Sequence, residues 1–255
     1  MTMNVMAVIL NQEEWREHDV LVTMYTRERG KVEAVARGLR KMESKLASHL
    51  EPLSTAEIFI VRGRRWPIIA GSIVENARLS LGSDLKRLAV AGTVARLADL
   101  MTPFESHDER IFRLLDETLT LVAETVLEQG TSELLVHFYA WKMLIFAGYR
   151  PELKHCLHCR RSSAVAGMVL DPRRGGTVHR LCLGNLQGKT TLPLNLAALK
   201  GLSYMAEAPI SHTLRLKSTK ESFGAMMSAI ETMIKEKFEQ SFDLSPFGVY
   251  DERLF

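Results

Sequence analysis

The apolar residues change their period near residue 81, and this switch constrains the fold more than any other feature of the sequence. Before it, five short apolar runs are separated by turn residues, which is typical of β-strands. After it, apolar residues recur every three or four positions, which indicates helices. The predicted strands cover residues 3–10, 20–26, 32–37, 54–61 and 66–74.

Five strands in so short a segment favour a small closed barrel, because closure removes exposed sheet edges. The OB-fold is the commonest five-stranded barrel, although periodicity alone leaves an SH3-like barrel open. Gly30 tolerates the positive φ that a tight hairpin turn requires. We therefore expect an α+β protein, with an N-terminal five-stranded OB-fold β-barrel in residues 1–80 and an α-helical domain in residues 81–255.

Helix signals follow one another through the second part of the chain. Residues 84–101 carry apolar side chains at helical spacing, and residues 132–147 are apolar enough to form a buried central helix. Ser106-His107-Asp108-Glu109 and Ser218-Thr219-Lys220-Glu221 both match the capping box that opens a helix. The second box predicts a helix that runs to about residue 240.

The helical pattern breaks at about residues 150–190, where all three cysteines lie. Cys156-Leu157-His158-Cys159 and His179-Arg180-Leu181-Cys182 each have the spacing of a knuckle that aims two ligands at one ion. A set of four sulfur and imidazole ligands suits the tetrahedral coordination of Zn²⁺. We therefore predict a zinc-ribbon-like insert with the metal ligands Cys156, Cys159, His179 and Cys182.

Three thiolates and one imidazole fill a tetrahedral site, so the predicted zinc is structural. His155 and His158 lie close to the first knuckle and stay open as alternatives to His179 for the fourth ligand. An isolated redox-active Cys-x-x-Cys is the weaker alternative, because it leaves the third cysteine unexplained. Gly175-Gly176 precedes the second knuckle and permits the chain reversal that would dock the two.

The net charge of +3 is unevenly distributed. Residues 27–65 carry a net charge of +5 and residues 150–190 carry +6, whereas residues 81–149 carry −4. Two basic islands favour a polyanion as partner, because each neutralised phosphate releases counterions. OB-folds add stacking of bases on aromatic rings to a basic groove. The candidate DNA-binding residues are Lys31, Arg37, Arg40, Lys41, Lys45, Arg62, Arg64, Arg65 and Trp66.

The sequence shows no catalytic signature. A His-Glu-x-x-His metalloprotease motif and a Gly-x-Ser-x-Gly nucleophile elbow are both missing. We therefore expect no catalysis and a structural zinc cofactor. Three functions stay open on the residues alone: a non-enzymatic DNA-binding mediator, an RNA-binding OB protein, and a zinc-dependent nucleic-acid-processing enzyme.

Several segments resemble the RecO family, the recombination mediators of the bacterial RecF pathway. The most specific is Gly30-Lys31-Val32-Glu33-Ala34-Val35-Ala36-Arg37-Gly38. Gly148-Tyr149-Arg150-Pro151-Glu152-Leu153 before the first knuckle and Asp171-Pro172-Arg173-Arg174-Gly175-Gly176 before the second are also similar. Many zinc-bearing members have Cys-x-x-Cys as the second knuckle, whereas this chain has His179 at its first position.

The resemblance implies a role in DNA repair and recombination without catalysis. It implies binding of single- and double-stranded DNA and annealing of complementary strands. It also implies complexes with RecR and with the acidic C-terminal tail of single-strand binding protein (SSB), which together help RecA load onto SSB-coated DNA. We accordingly expect a cytoplasmic, nucleoid-associated bacterial protein with no membrane contact.

Overall fold

The computed structural model describes residues 2–127, 130–165, 167–183, 191–239 and Leu244. The chain forms two compact units, Met1–Leu127 and Glu128–Phe255. Residues 184–190, the last part of the expected insert, lie outside the described residues. Among the described helices, none is both long and apolar enough to cross a lipid bilayer.

The first unit contains a closed five-stranded barrel, as the apolar pattern predicts. Its strands lie in the order β1-β2-β3-β5-β4, with β3 and β5 parallel and every other pair antiparallel. This is the OB-type arrangement expected from the sequence. The strands are β1 (Met3–Glu14), β2 (Val20–Thr26), β3 (Gly30–Ala36), β4 (Thr55–Val61) and β5 (Ile68–Asn76).

Strand β1 is longer than predicted because it pairs with two neighbours in succession. Its first half pairs with β4 from Met3 to Val8, and its second half pairs with β2 as far as Glu14. A bulge between Ile9 and Asn11 lets the strand bend from one partner to the other. Apolar side chains from all five strands fill the interior of the barrel.

Two helices belong to the same compact unit as the barrel, namely α1 (Leu85–Met101) and α2 (Glu109–Glu124). Both have contacts with β1. The division of the structure by contacts therefore falls after Leu127, whereas the sequence suggests a boundary at residue 80. The change of period marks where strands give way to helices, but the first helices pack on the barrel.

The cap of α2 differs from the predicted capping box. Asp108, not Ser106, is the N-cap, and its side chain accepts a hydrogen bond from the backbone N–H of Arg110. The segment before it is held by the barrel, because the N–H of Glu105 donates to the carbonyl of Lys31. A Cβ atom on Gly30 would lie 2.0 Å from the Ser106 carbonyl oxygen, so Ser106 is part of this close contact.

The second unit is built around α3 (Thr131–Phe146), whose side chains are almost all buried, as predicted. Trp141 is fully buried and donates its indole N–H to the carbonyl of Leu202. Helices α4 (Leu196–Glu207) and α5 (Lys220–Phe238) pack against α3 and against each other. The N-cap of α5 is Thr219, one residue after the predicted Ser218, and it accepts from the backbone N–H of Ser222.

A small three-stranded sheet forms the core of the insert. Strands β6 (Met168–Asp171), β7 (Gly176–His179) and β8 (Leu192–Leu194) lie in the order β7-β6-β8. The turn between β6 and β7 ends at Gly175, which has a φ of 70° that glycine adopts without strain. This hairpin delivers His179 to the metal-ligand cluster described below.

Candidate nucleic-acid interface and metal centre

Three connecting segments of the barrel are linked, because the first contacts each of the other two. The first is the β1–β2 loop, residues 15–19, the second is the long segment 37–54 after β3, and the third is the β4–β5 loop, residues 62–67. The two basic groups predicted to bind DNA lie on the second and third of these segments. Contacts with the first segment attach both basic segments to the same loop.

Two hydrogen bonds tie the first loop to the segment after β3. The backbone N–H of Arg40 donates to the carbonyl of His18 at 3.2 Å. The N–H of Gly38 donates to the Oδ1 atom of Asp19 at 2.8 Å. The beginning of the basic segment is therefore fixed against the β1–β2 loop.

A pair of tryptophans ties the first loop to the third. The rings of Trp15 and Trp66 pack edge to face, with centroids 5.2 Å apart and planes at 68°. The third loop also reaches β3, because the N–H of Val35 donates to the carbonyl of Pro67 at 2.8 Å. Both basic segments are therefore attached to the same β1–β2 loop.

Seven of the predicted DNA-binding cations are exposed on these segments, and we call them the basic loop surface. Arg40 forms an ion pair with Glu14 at 2.6 Å, so part of its charge is balanced within the protein. The members of the basic loop surface are Arg37, Arg40, Lys41, Lys45, Arg62, Arg64 and Arg65.

Lys31 does not belong to this surface, contrary to the sequence-based prediction. Its side chain is 9% exposed, and its Nζ atom donates to the backbone carbonyl of Asp99 at 2.7 Å and to the Asp99 carboxylate at 3.1 Å. The ammonium also lies 4.3 Å from the centre of the Phe104 ring. Lys31 therefore links the barrel to α1 and the segment that follows it, and its charge is already neutralised.

Trp66 is half-buried, whereas its partner Trp15 is 38% exposed. Trp15 is not among the residues predicted from the sequence to bind DNA. The signal was available, because Glu13-Glu14-Trp15-Arg16-Glu17 is a polar stretch in which a tryptophan has no apolar neighbours. An isolated aromatic residue in a polar loop is a better candidate for binding than for a core.

The predicted metal ligands form a cluster in the second unit. One ligand atom from each of Cys156, Cys159, His179 and Cys182 lies within 4.8 Å of all the others. The Nδ1 atom of His179 is 3.3 Å from the sulfur of Cys159 and 4.0 Å from that of Cys182. Zn–S bonds of about 2.3 Å in a tetrahedron place ligand atoms about 3.8 Å apart, so the cluster fits Zn²⁺.

Two thiols of the cluster, Cys156 and Cys182, have pKa values that are shifted in opposite directions. Burial by itself would raise the pKa of Cys156, but backbone N–H groups of Cys159, His179 and His158 point at its sulfur, and the pKa is lowered to about 6. Burial and the neighbouring cysteine sulfurs raise the pKa of Cys182 to about 11. A cation at the centre of the cluster would favour the thiolate form of every cysteine.

Of the three histidines considered as fourth ligand, only His179 contributes to the cluster. His158 is exposed. The side chain of His155 is 55% exposed, and its Nδ1 atom lies 3.8 Å from the Oε1 atom of Glu152. His179 is placed correctly because β7 ends on it and because its N–H donates to the sulfur of Cys156 at 3.4 Å. The four residues would hold zinc as a closed, structural site.

Gly176 allows the two knuckles to dock. A Cβ atom there would lie 2.7 Å from the carbonyl oxygen of Glu152, so only glycine permits this approach. The N–H of Thr177 donates to the same carbonyl at 2.9 Å, and the N–H of Leu157 donates back to the carbonyl of Thr177 at 2.9 Å. The chain before the first knuckle is therefore held along β7.

Comparison with known protein families identifies the chain. Residues 1–75 match the family model described as recombination protein O N terminal, and residues 82–244 match recombination protein O C terminal. The chain belongs to the recombination protein O (RecO) family. The two RecO family models meet between residues 75 and 82, whereas the contacts of the structure divide the chain after Leu127.

Curated relatives with the name DNA repair protein RecO span nearly the whole chain. The RecO of Dehalococcoides mccartyi strain 195 is 29% identical over 234 residues, which cover 92% of this chain and 90% of the relative. The RecO of Roseiflexus sp. strain RS-1 is 31% identical over 239 residues, which cover 92% of this chain and 82% of the relative. That of Alkaliphilus metalliredigens is 23% identical over 209 residues, covering 82% of each.

Proposed function

We propose that this protein is a non-enzymatic recombination mediator in DNA repair. It binds single- and double-stranded DNA, anneals complementary strands and, with RecR, helps RecA load onto SSB-coated single strands. The names of the curated relatives support the repair role. A DNA-repair function also implies that the protein works in the bacterial cytoplasm, at the nucleoid.

The observation that carries the proposal is the basic loop surface. Two groups of exposed cations that are about 20 residues apart in sequence are attached to one β1–β2 loop by the Trp15–Trp66 contact and by hydrogen bonds. A concentration of cations on loops of an OB-type barrel suits a nucleic-acid backbone, because phosphates line up along the strand. Trp66 follows Arg65 on the β4–β5 loop and contacts Trp15 of the β1–β2 loop.

Annealing requires that two strands be held near each other while their phosphate repulsion is screened. The insert supplies a second basic surface. Arg160 follows Cys159 and Arg180 follows His179, and both arginines are exposed. Because Cys159 and His179 belong to one ligand cluster, the metal would fix the spacing of these two arginines. We assign the second strand to this surface.

The proposed contact with the SSB tail needs an apolar pocket with a basic rim, because that tail is acidic and apolar. A cavity of about 570 Å³ in the second unit has this character. Tyr204, Leu216 and Met226 contribute its apolar wall, and Lys200 and Lys217 contribute cations. We place the tail there. Acidic peptides would be attracted by the lysines before their apolar groups are buried.

The proposal is tested by reversing charge on both basic segments at once. We expect Arg37→Glu/Arg64→Glu to weaken binding of a labelled single-stranded oligonucleotide roughly tenfold at 0.1 M salt. Two lost phosphate contacts should also flatten the plot of log affinity against log salt by about 1.4. Fluorescence anisotropy at four or more salt concentrations measures both quantities.

Arg96→Glu is the matched control, since Arg96 is an exposed arginine on α1 outside the basic loop surface. It should leave both the affinity and the salt slope close to those of the wild type. An unchanged slope in the double variant would show that the basic loop surface does not hold the strand. Tighter binding of RNA than of DNA at matched salt would favour the RNA-binding alternative, and strand cleavage or another turnover would favour the enzyme.

A further inference from the structure

The Trp15–Trp66 pair places two aromatic rings on the surface loops of the barrel. Both rings lie on loops rather than in the barrel interior, and Trp15 keeps 38% of its surface exposed. The exposed part of a tryptophan ring is a flat apolar surface that a second aromatic group can cover. The third tryptophan, Trp141, is in the other unit and is fully buried, which is the ordinary situation.

The two loops are built to hold the pair rigidly. The N–H groups of Trp15 and Arg16 both donate to the carbonyl of Asp19, at 3.1 and 3.3 Å, so the β1–β2 loop is a closed turn. In the β4–β5 loop, a Cβ atom on Gly63 would lie 2.0 Å from the carbonyl oxygen of Trp66, so only glycine lets the chain fold back this closely. The backbone that carries each ring is therefore held in place, and the edge-to-face contact joins the two rings.

We propose that Trp15 is the ring on which a nucleobase of a single strand stacks, and that Trp66 is a positioning residue that braces it. An edge-to-face pair cannot offer both rings in parallel to one base, so the two tryptophans have different roles. The more exposed ring, Trp15, is the accessible one. This inference rests on the proposed function, and it replaces the sequence-based expectation that Trp66 itself stacks on a base.

Stacking on Trp15 would let a mostly electrostatic surface distinguish single strands from duplexes. Phosphates are present in single and double strands alike, so the basic loop surface attracts both. Only an unpaired base can leave its neighbours and stack on a protein ring, since the bases of a duplex are already stacked. Trp15 should therefore add affinity for single strands and almost none for duplexes.

The test measures binding of an oligothymidine, the same sugar–phosphate chain without bases, and a duplex. We expect Trp15→Ala to weaken oligothymidine binding about 5- to 150-fold, which corresponds to the loss of one base–aromatic stack. Binding of the abasic chain and of the duplex should change less than twofold. The salt slope should also stay constant, because no charge is removed.

Two conservative variants separate stacking from bracing. Trp15→Phe should retain most of the affinity, because a phenyl ring still stacks, but it should lose most of the quenching of tryptophan emission by oligothymidine. The reverse pattern of quenching would identify Trp66 as the stacking ring. Trp66→Phe should retain both the affinity and the quenching of Trp15 emission by oligothymidine. Trp141 gives a constant background in that measurement because it is buried in the other unit.

Wild-type protein alone already provides one decisive comparison, which does not depend on how well a variant folds. It should bind oligothymidine more tightly than the abasic chain by the same factor that Trp15→Ala loses. Equal binding of the two chains by wild type would overturn the stacking assignment while leaving the proposed DNA function intact. Absence of any DNA binding by wild type would instead overturn the proposed function, and the stacking assignment with it.

Discussion

Removing Asp116 should destabilise the first unit more than removing its partner, Arg78. Arg78 lies between β5 and α1, and its guanidinium is only 1% exposed. It donates to the carbonyl of Leu53 at 2.8 Å and to the hydroxyl of Thr55 at 2.9 Å, and it forms an ion pair with the carboxylate of Asp116 on α2. The network therefore joins the barrel to α2.

The two side chains differ in how well water can solvate the charge that remains when the partner is removed. Asp116→Ala leaves a guanidinium buried without a counter-charge, which costs about 3–5 kcal/mol. Arg78→Met leaves the Asp116 carboxylate 35% exposed and still accepting a hydrogen bond from Thr55 at 2.6 Å, so its cost is closer to about 1–3 kcal/mol. Burial lowers the pKa of Arg78 and the Asp116 charge opposes this, which agrees with the dependence of the arginine on its partner.

Urea unfolding monitored by circular dichroism gives the free energies, and thermal melts should show a loss of roughly 10–20 °C for Asp116→Ala. The double variant Arg78→Met/Asp116→Ala tests the explanation, because it leaves no charge stranded. It should be more stable than Asp116→Ala alone. The reasoning is refuted if the double variant loses the sum of the two single costs, or if Arg78→Met is the more damaging single change.

Two further predictions concern the metal cluster and a buried phenol. Purified protein should contain one zinc per chain, and Cys159→Ser should lose the zinc and lower the melting temperature; full zinc content with unchanged melting would contradict the assigned ligand. Burial raises the pKa of Tyr25 to about 12, whereas an unfolded tyrosine deprotonates near pH 10, so stability should fall between pH 10 and 12 by up to roughly 3 kcal/mol. Tyr25→Phe should remove most of that fall in urea titrations at pH 9 and pH 11, and an equally steep fall in the variant would exclude Tyr25 as its cause.

The barrel was predictable because its signals are local. Each strand is a short apolar run, and Gly30 supplies a turn that only glycine fits. The ends of the strands were less predictable, since β1 extends to Glu14 through pairing with β2 along its second half. The end of β1 is polar, so no apolar pattern marks it as a strand. It is a strand because it pairs with β2 beyond the bulge, and the local sequence does not show that pairing.

The metal cluster was predictable for a different reason. Ligand spacing within a knuckle is short, so Cys156 and Cys159 are recognisable without any knowledge of the fold. The choice among the histidines was harder, because His155 and His158 are closer in sequence to the first knuckle than His179 is. The register of β6 with β7 decides it, since Met168 pairs with His179 and brings that residue to the cysteines.

The predicted DNA-binding residues show that a sequence does not reveal which cations are already paired with a carboxylate in the fold. Lys31 and Arg37 both lie in or beside β3, and their charges look equivalent in the sequence. Asp99, 68 residues further on, neutralises the first and leaves the second exposed. A cation buried against a carboxylate cannot release counterions from a phosphate, so it adds nothing to the salt dependence of binding. Charge reversal at Lys31 should therefore reduce the stability of the protein, whereas reversal at Arg37 should reduce its affinity for DNA. This contrast separates cations that stabilise the fold from cations that bind the phosphate backbone.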